Sequence, residues 1–96
     1  MDFKNKRFLT RGVHLQVNPI IQLLLWRLID NMPPPKDYLQ IFKLTEENGQ
    51  QKITHIQEEP EYTREYLLKT DTPIFIGKIY VIDDETHSTM LLAEEY

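Results

Sequence analysis

Residues 38–56 read Tyr38-Leu39-Gln40-Ile41-Phe42-Lys43-Leu44-Thr45-Glu46-Glu47-Asn48-Gly49-Gln50-Gln51-Lys52-Ile53-Thr54-His55-Ile56. Two runs rich in β-branched and aromatic residues flank Asn48-Gly49, and both turn residues accept the positive φ that a type I′ hairpin demands. With a two-residue loop Glu47 faces Gln50, and the register follows. Leu44 lies across from Ile53 and Phe42 across from His55, while Ile41 and Ile56 pair on the opposite face. The first face is the better one to pack under a helix. The second carries Leu39 together with Lys43, Thr45, Lys52 and Thr54, and reads as half wet.

Outward from the hairpin, the pattern of short strand-like runs continues. The runs are 38–45, 51–58, 62–69, 74–83 and 88–94, broken at Glu59-Pro60, at Asp71-Thr72-Pro73 and over Asp83 to His87. Connections this short favour antiparallel neighbours, because a parallel crossover needs a dozen or more residues. Ile79-Tyr80-Val81-Ile82 and Met90-Leu91-Leu92-Ala93 are apolar at successive positions. Strands greasy on both faces belong in the middle of a sheet, or have one face that meets a partner.

Toward the N-terminus stands a helix. Asn18 is a good N-cap, Pro19 suits the first helical position, and Pro33-Pro34-Pro35 ends the helix near Met32. At roughly 100° per residue, Ile21, Leu24, Leu25, Leu28 and Met32 form one stripe, flanked by Ile20 and Ile29. Gln22, Arg27 and Asp30 take the far side, yet Trp26 and Leu23 fall among them. Either another segment covers them, such as the one carrying Phe3, Phe8 and Leu9, or Leu23, Trp26 and Arg27 form a partner-binding face. A further short strand is expected around Phe8 to Val13, broken at Gly12. The fold class is therefore α+β, one N-terminal helix packed on an antiparallel sheet of four to six strands.

A chain of 96 residues has room for one domain, spanning 1–96, with residues 1–7 as a flexible lead. It has no cysteine, which removes disulfides, thiolate metal sites and cysteine nucleophiles, and makes a reducing cytoplasm the simpler setting. The greasy run Ile20 to Ile29 is about half the ~20 residues a bilayer requires, and no secretory signal pattern is present. A net charge of −4 disfavours non-specific nucleic-acid binding. The exception is a basic arm of Lys4, Lys6, Arg7 and Arg11, with His14 close by, which could touch nucleic acid or an acidic partner.

Little points to catalysis. Ser88 is the one serine and lies in no nucleophile elbow, and Gly12, Gly49 and Gly77 are too far apart to cradle a phosphate. Asp83, Asp84 and His87 gather oxygen and nitrogen donors in one turn, a weak polar site that a hard cation could use, although acidic residues also make a good soluble turn. His55 shares a face with Phe42 and Ile53 and reads as a core or edge residue. Glu58, Glu59 and Glu61 read as a solvated rim. No catalytic residue, metal ligand set or cofactor is assigned.

Several segments together carry a resemblance: Thr10-Arg11-Gly12-Val13, Trp26-Arg27-Leu28-Ile29-Asp30, Pro60-Glu61-Tyr62, Ile79 to Asp84, and above all the ending Ser88-Thr89-Met90-Leu91-Leu92-Ala93-Glu94-Glu95-Tyr96. Over nearly the whole chain the sequence resembles a family of short staphylococcal and related Firmicutes proteins known only as a domain of unknown function, number nine-sixty. The resemblance implies a bacterial cytoplasmic protein standing alone as one domain, and it supplies no activity. The leading functional expectation is a non-enzymatic interaction or regulatory module that binds a protein partner or itself. The alternatives are a small enzyme or metal-dependent regulator using the Asp83-Asp84-His87 turn, and nucleic-acid contact through the basic arm.

Overall fold

The computed structural model describes residues 1–69 and 71–96. In chain order it contains β1 (Lys6–Leu9), α1 (Arg11–Gln16), α2 (Pro19–Asn31), β2 (Leu39–Glu47), β3 (Gln50–Gln57), β4 (Tyr62–Leu68), β5 (Gly77–Asp83), β6 (His87–Leu92) and a closing 3₁₀ turn, Ala93–Glu95. The strands form one six-stranded sheet in the order β1-β6-β5-β2-β3-β4. All neighbours are antiparallel except β1 and β6, which come from the two ends of the chain and run parallel.

The hairpin takes the register its turn demands, with Glu47 opposite Gln50, Leu44 opposite Ile53 and Phe42 opposite His55. Asn48 and Gly49 both hold positive φ, 52° and 77°. The greasy β5 lies inside the sheet, between β6 and β2. The expected strand over Phe8 to Val13 is corrected. The strand lies earlier, and Thr10 starts α1 by accepting the Val13 N–H on its hydroxyl, so that Gly12 sits in a helix. Residues 74–76 fall outside β5, held instead by Gln51, whose amide oxygen accepts the Phe75 N–H at 2.8 Å while its NH₂ donates to the Phe75 carbonyl at 2.9 Å.

Asn18 caps α2 through the Ile20 N–H at 2.8 Å, and Pro19 is its first residue. The buried side of α2 is Ile21, Leu25, Trp26 and Ile29, with Met32 at its end, whereas Leu24 and Leu28 are half-buried and Ile20 is exposed. The expected stripe is thus rotated toward Trp26, because the segment before β1 packs on that side. Phe3 is fully buried, the Arg7 guanidinium stands 4.6 Å over the Trp26 ring, and both belong to the edge where β1 joins the sheet. Phe42, Leu44, Ile53, Ile79, Val81 and Met90 supply the sheet side of the core.

The two ends of the chain are tied to the rest by carboxylates. Glu95 accepts the Thr10 hydroxyl at 2.6 Å, the Gly12 N–H at 3.1 Å and the Leu92 N–H at 2.8 Å. Those bonds, the Thr10 hydroxyl foremost, hold the Glu95 carboxyl below its ordinary value. Gly12 makes the approach possible, since a Cβ there would lie 2.7 Å from the Glu95 carboxylate.

Candidate functional site

The three proposed partner-binding residues of α2 do not share an exposed face. Leu23 and Arg27 are exposed, but Trp26 is only 9% accessible, closed over by Arg7. Arg7 donates through Nε and Nη2 to the Phe3 carbonyl at 3.2 and 3.1 Å, and its Nη1 and Nη2 also reach both carboxylate oxygens of Asp30. This fork stacks on an aromatic face and satisfies a backbone carbonyl at once, which a lysine could not do. Asp30→Ala leaves that stack in place and removes only an exposed ion pair, so it should cost under about 1 kcal/mol. Arg7→Ala, which uncovers Trp26 and orphans the Phe3 carbonyl, should cost more; urea midpoints of the two variants check the order.

Of the basic arm, Arg7 is spent in this way, while Lys4, Lys6 and Arg11 are exposed on the β1 edge and at the start of α1. The acidic turn also divides. Asp83 is buried and points inward, accepting the Phe3 N–H at 3.0 Å, the Asn5 amide at 2.9 Å and the Glu85 N–H at 2.8 Å. Burial by itself would raise its pKa, but these three donors outweigh burial and hold the carboxyl below its ordinary value. Asp84 is exposed; its carboxylate caps the turn through Thr86 and His87, the Thr86 hydroxyl lying at 2.7 Å, and its Oδ2 is 3.2 Å from His87 Nε2. The structure therefore does not bring Asp83, Asp84 and His87 to one point. Among the described residues no three His, Asp or Glu side chains converge as a metal would need.

His55 is fully buried, stacked on Phe42 at 4.4 Å with the Tyr62 edge at 5.3 Å. Its Nε2 is 2.7 Å from Gln40 Oε1. The Gln40 NH₂ is turned to Gln57 Oε1 at 2.7 Å and to the Asp37 carbonyl, so Gln40 can only accept and Nε2 carries the proton. Gln57 closes the network with the Asp37 N–H and the Pro60 carbonyl. Nδ1 has no hydrogen-bond partner among the described residues. Burial drives the imidazole pKa down to about 4. It is a neutral core histidine.

Both helices pack on one face of the sheet, and the other is left to the strands' own side chains and to Tyr96. The buried residues of both helices belong to the core on the first face, and the molecule is 20 Å thick, the depth of two layers. Strand alternation and register place Leu91, Tyr80, Ile41 and Ile56 in one row on the second face and Phe8, Thr89 and Ile82 in the next, a largely apolar band running from β1 to β3. Leu39, paired with Ile82, extends it. Leu91 is 8% accessible and most of the band half-buried, while Phe8 is 49% accessible and sets its ring edge-on to His87 at 5.4 Å. From the chain's end Tyr96 reaches the Tyr80 ring, edge-on at 5.5 Å.

The ends of this face differ in charge. At the end where β2 begins stand Glu58, Glu59, Glu61, Asp84 and Glu85, all exposed in the β3–β4 and β5–β6 turns. Toward the other end Lys43 and Lys78 lie directly opposite each other across β2 and β5, both exposed, and neither has a carboxylate within ion-pair distance among the described residues. Facing like charges destabilise a sheet. Lys52, by contrast, is flanked by Glu65 at 3.0 Å and Glu47 at 3.6 Å, and Glu65 foremost raises its pKa. The hairpin register already placed Ile41 and Ile56 on a half-wet side. The signal for an uncovered band was the run of apolar residues at successive positions of β5.

The profile of a family described as "Staphylococcal protein of unknown function" (DUF960) matches residues 6–95. No curated protein matches. Among solved structures, a protein of unknown function from Enterococcus faecalis has the same fold, with a TM-score of 0.89 and 22% identity, over 100% of this chain and 96% of that one.

Proposed function

Because the chain belongs to that staphylococcal family, whose description assigns no activity, its own geometry must carry the reading: we propose that it is a non-enzymatic interaction module of the bacterial cytoplasm that docks a protein on the open face of its sheet. The observation that carries this is the band from Phe8 to Ile56, which spans five strands on the face away from both helices. A sheet face that meets only water alternates to polar residues, whereas here the central strands keep apolar residues on both sides. Absence of cysteine agrees with a reducing compartment. Among the described residues no helix is long and apolar enough to cross a membrane.

The test is affinity capture of the tagged chain, with Ile41→Lys and Leu23→Lys in parallel and circular dichroism of each. The expected result is a protein, this chain's own second copy included, bound by the parent and lost at least tenfold from folded Ile41→Lys. Loss from Leu23→Lys alone would move the contact to α2, with Arg27 beside it. Equal retention by all three would end the docking reading.

A further inference from the structure

Resting on that docking reading, we infer that the occupant of the open face is a second copy of this chain, laid face to face with its strands reversed. Charge selects this arrangement. A two-fold axis parallel to the strands would set Lys43 and Lys78 near the same pair of the other copy, cation against cation. An axis across the strands lays β5 on β5 in the opposite direction. Lys78 of each copy then meets the Asp84-Glu85 end of its mate, and Lys43 turns toward the same acidic end. The lysine pair gains the carboxylates it lacks within the single chain, and the exposed acids gain cations.

The apolar band agrees with the same axis. Tyr80 and Ile82 are two residues apart on one face of β5, so reversal places Tyr80 of one copy on Ile82 of the other, with Ile41 and Leu91 beside them. The area is also of the right order. The two longer dimensions of the molecule, 36 and 28 Å, bound a face of about 1,000 Å² at most, against the ~800 Å² each partner gives to a standard stable interface. Two sheets packed in this way lie about 10 Å apart and form the inner layers of a four-layer dimer.

The experiment is sedimentation velocity of the full chain from about 1 μM to about 1 mM at low and high salt. It uses three further chains: Lys43→Glu with Lys78→Glu, Glu85→Lys, and Ile41→Lys. The parent is expected to be a dimer whose dissociation rises with salt. Each charge-reversed chain alone should associate about tenfold more weakly, and an equimolar mixture of the two should recover, because their heterodimer restores both opposed ends. The reversed side chains are all exposed, so circular dichroism should match the parent even if Ile41→Lys unfolds. A parent that stays monomeric at every concentration overturns self-association. So does a dimer indifferent to both reversals, which places the contact elsewhere. A monomer that still captures another protein, lost on Ile41→Lys, would sink the second copy while leaving the docking face. A monomer that captures nothing removes both.

Discussion

Phe3→Ala should lower the stability of the fold by about 3–5 kcal/mol, a large part of the ~5–15 kcal/mol that holds a small domain together. The phenyl ring is wholly buried although it lies three residues from the chain's start, where segments usually fray. Its backbone holds φ at 60°, a region that costs a bulky residue about 1–2 kcal/mol. The arm stays because burial of the ring is added to the bond from its N–H to Asp83 and the bonds its carbonyl accepts from Arg7. Alanine keeps the backbone bonds and loses the ring, which isolates the packing contribution. Urea unfolding of parent and variant gives the difference directly. A loss below about 1 kcal/mol would mean that the arm is undocked in solution and that Trp26 is free to meet a partner.

The second large effect is acid sensitivity between pH 6.5 and 4. His55 has its pKa lowered from 6.5 to about 4 by burial, so in this window the unfolded chain takes up a proton that the folded chain refuses. Stability is complete above about pH 6.5 and falls as the pH drops toward 4, by about 3 kcal/mol in total. Asp83 and Glu95, both held below their ordinary values, continue the loss at lower pH, where their carboxylates take up protons. His55→Gln keeps a donor for Gln40 Oε1 and has no titrating ring. It should flatten the slope between 6.5 and 4 and leave the steeper loss below 4 intact. Urea midpoints at half-unit pH steps check this, and an unchanged slope would assign the sensitivity to other groups.

The hairpin was legible because two local rules agree on it. Asn48-Gly49 admits one loop length, and only one register then puts Phe42, Leu44, Ile53 and His55 on a single face. The start of α2 was legible for the same kind of reason, a capping asparagine followed by proline. What could not be read was anything decided between distant parts of the chain. The parallel pairing of β1 with β6 has no local signature, so β1 was misplaced and α1 was missed, Gly12 reading as a break. Trp26 had two open readings, since its cover comes from Arg7, 19 positions earlier. Glutamine is a surface residue by type, yet Gln40, Gln51 and Gln57 each stand two positions from a core residue of their own strand, Phe42, Ile53 and His55. Period-two alternation alone would have put them inside, where each finds hydrogen-bond partners.

The pairing of β1 with β6 also sets a schedule for the nascent chain. At about 5–20 residues per second, β1 waits several seconds on the ribosome before the strand it needs is made. The hairpin of β2 and β3 can close at once, but its core face has no lid until α2 settles. The arm that seals Trp26 must wait for Asp83, 80 residues downstream of Phe3. Until then, the greasy side of α2 is held by the central strands alone, and this interval is when a chaperone would find the chain most open to capture.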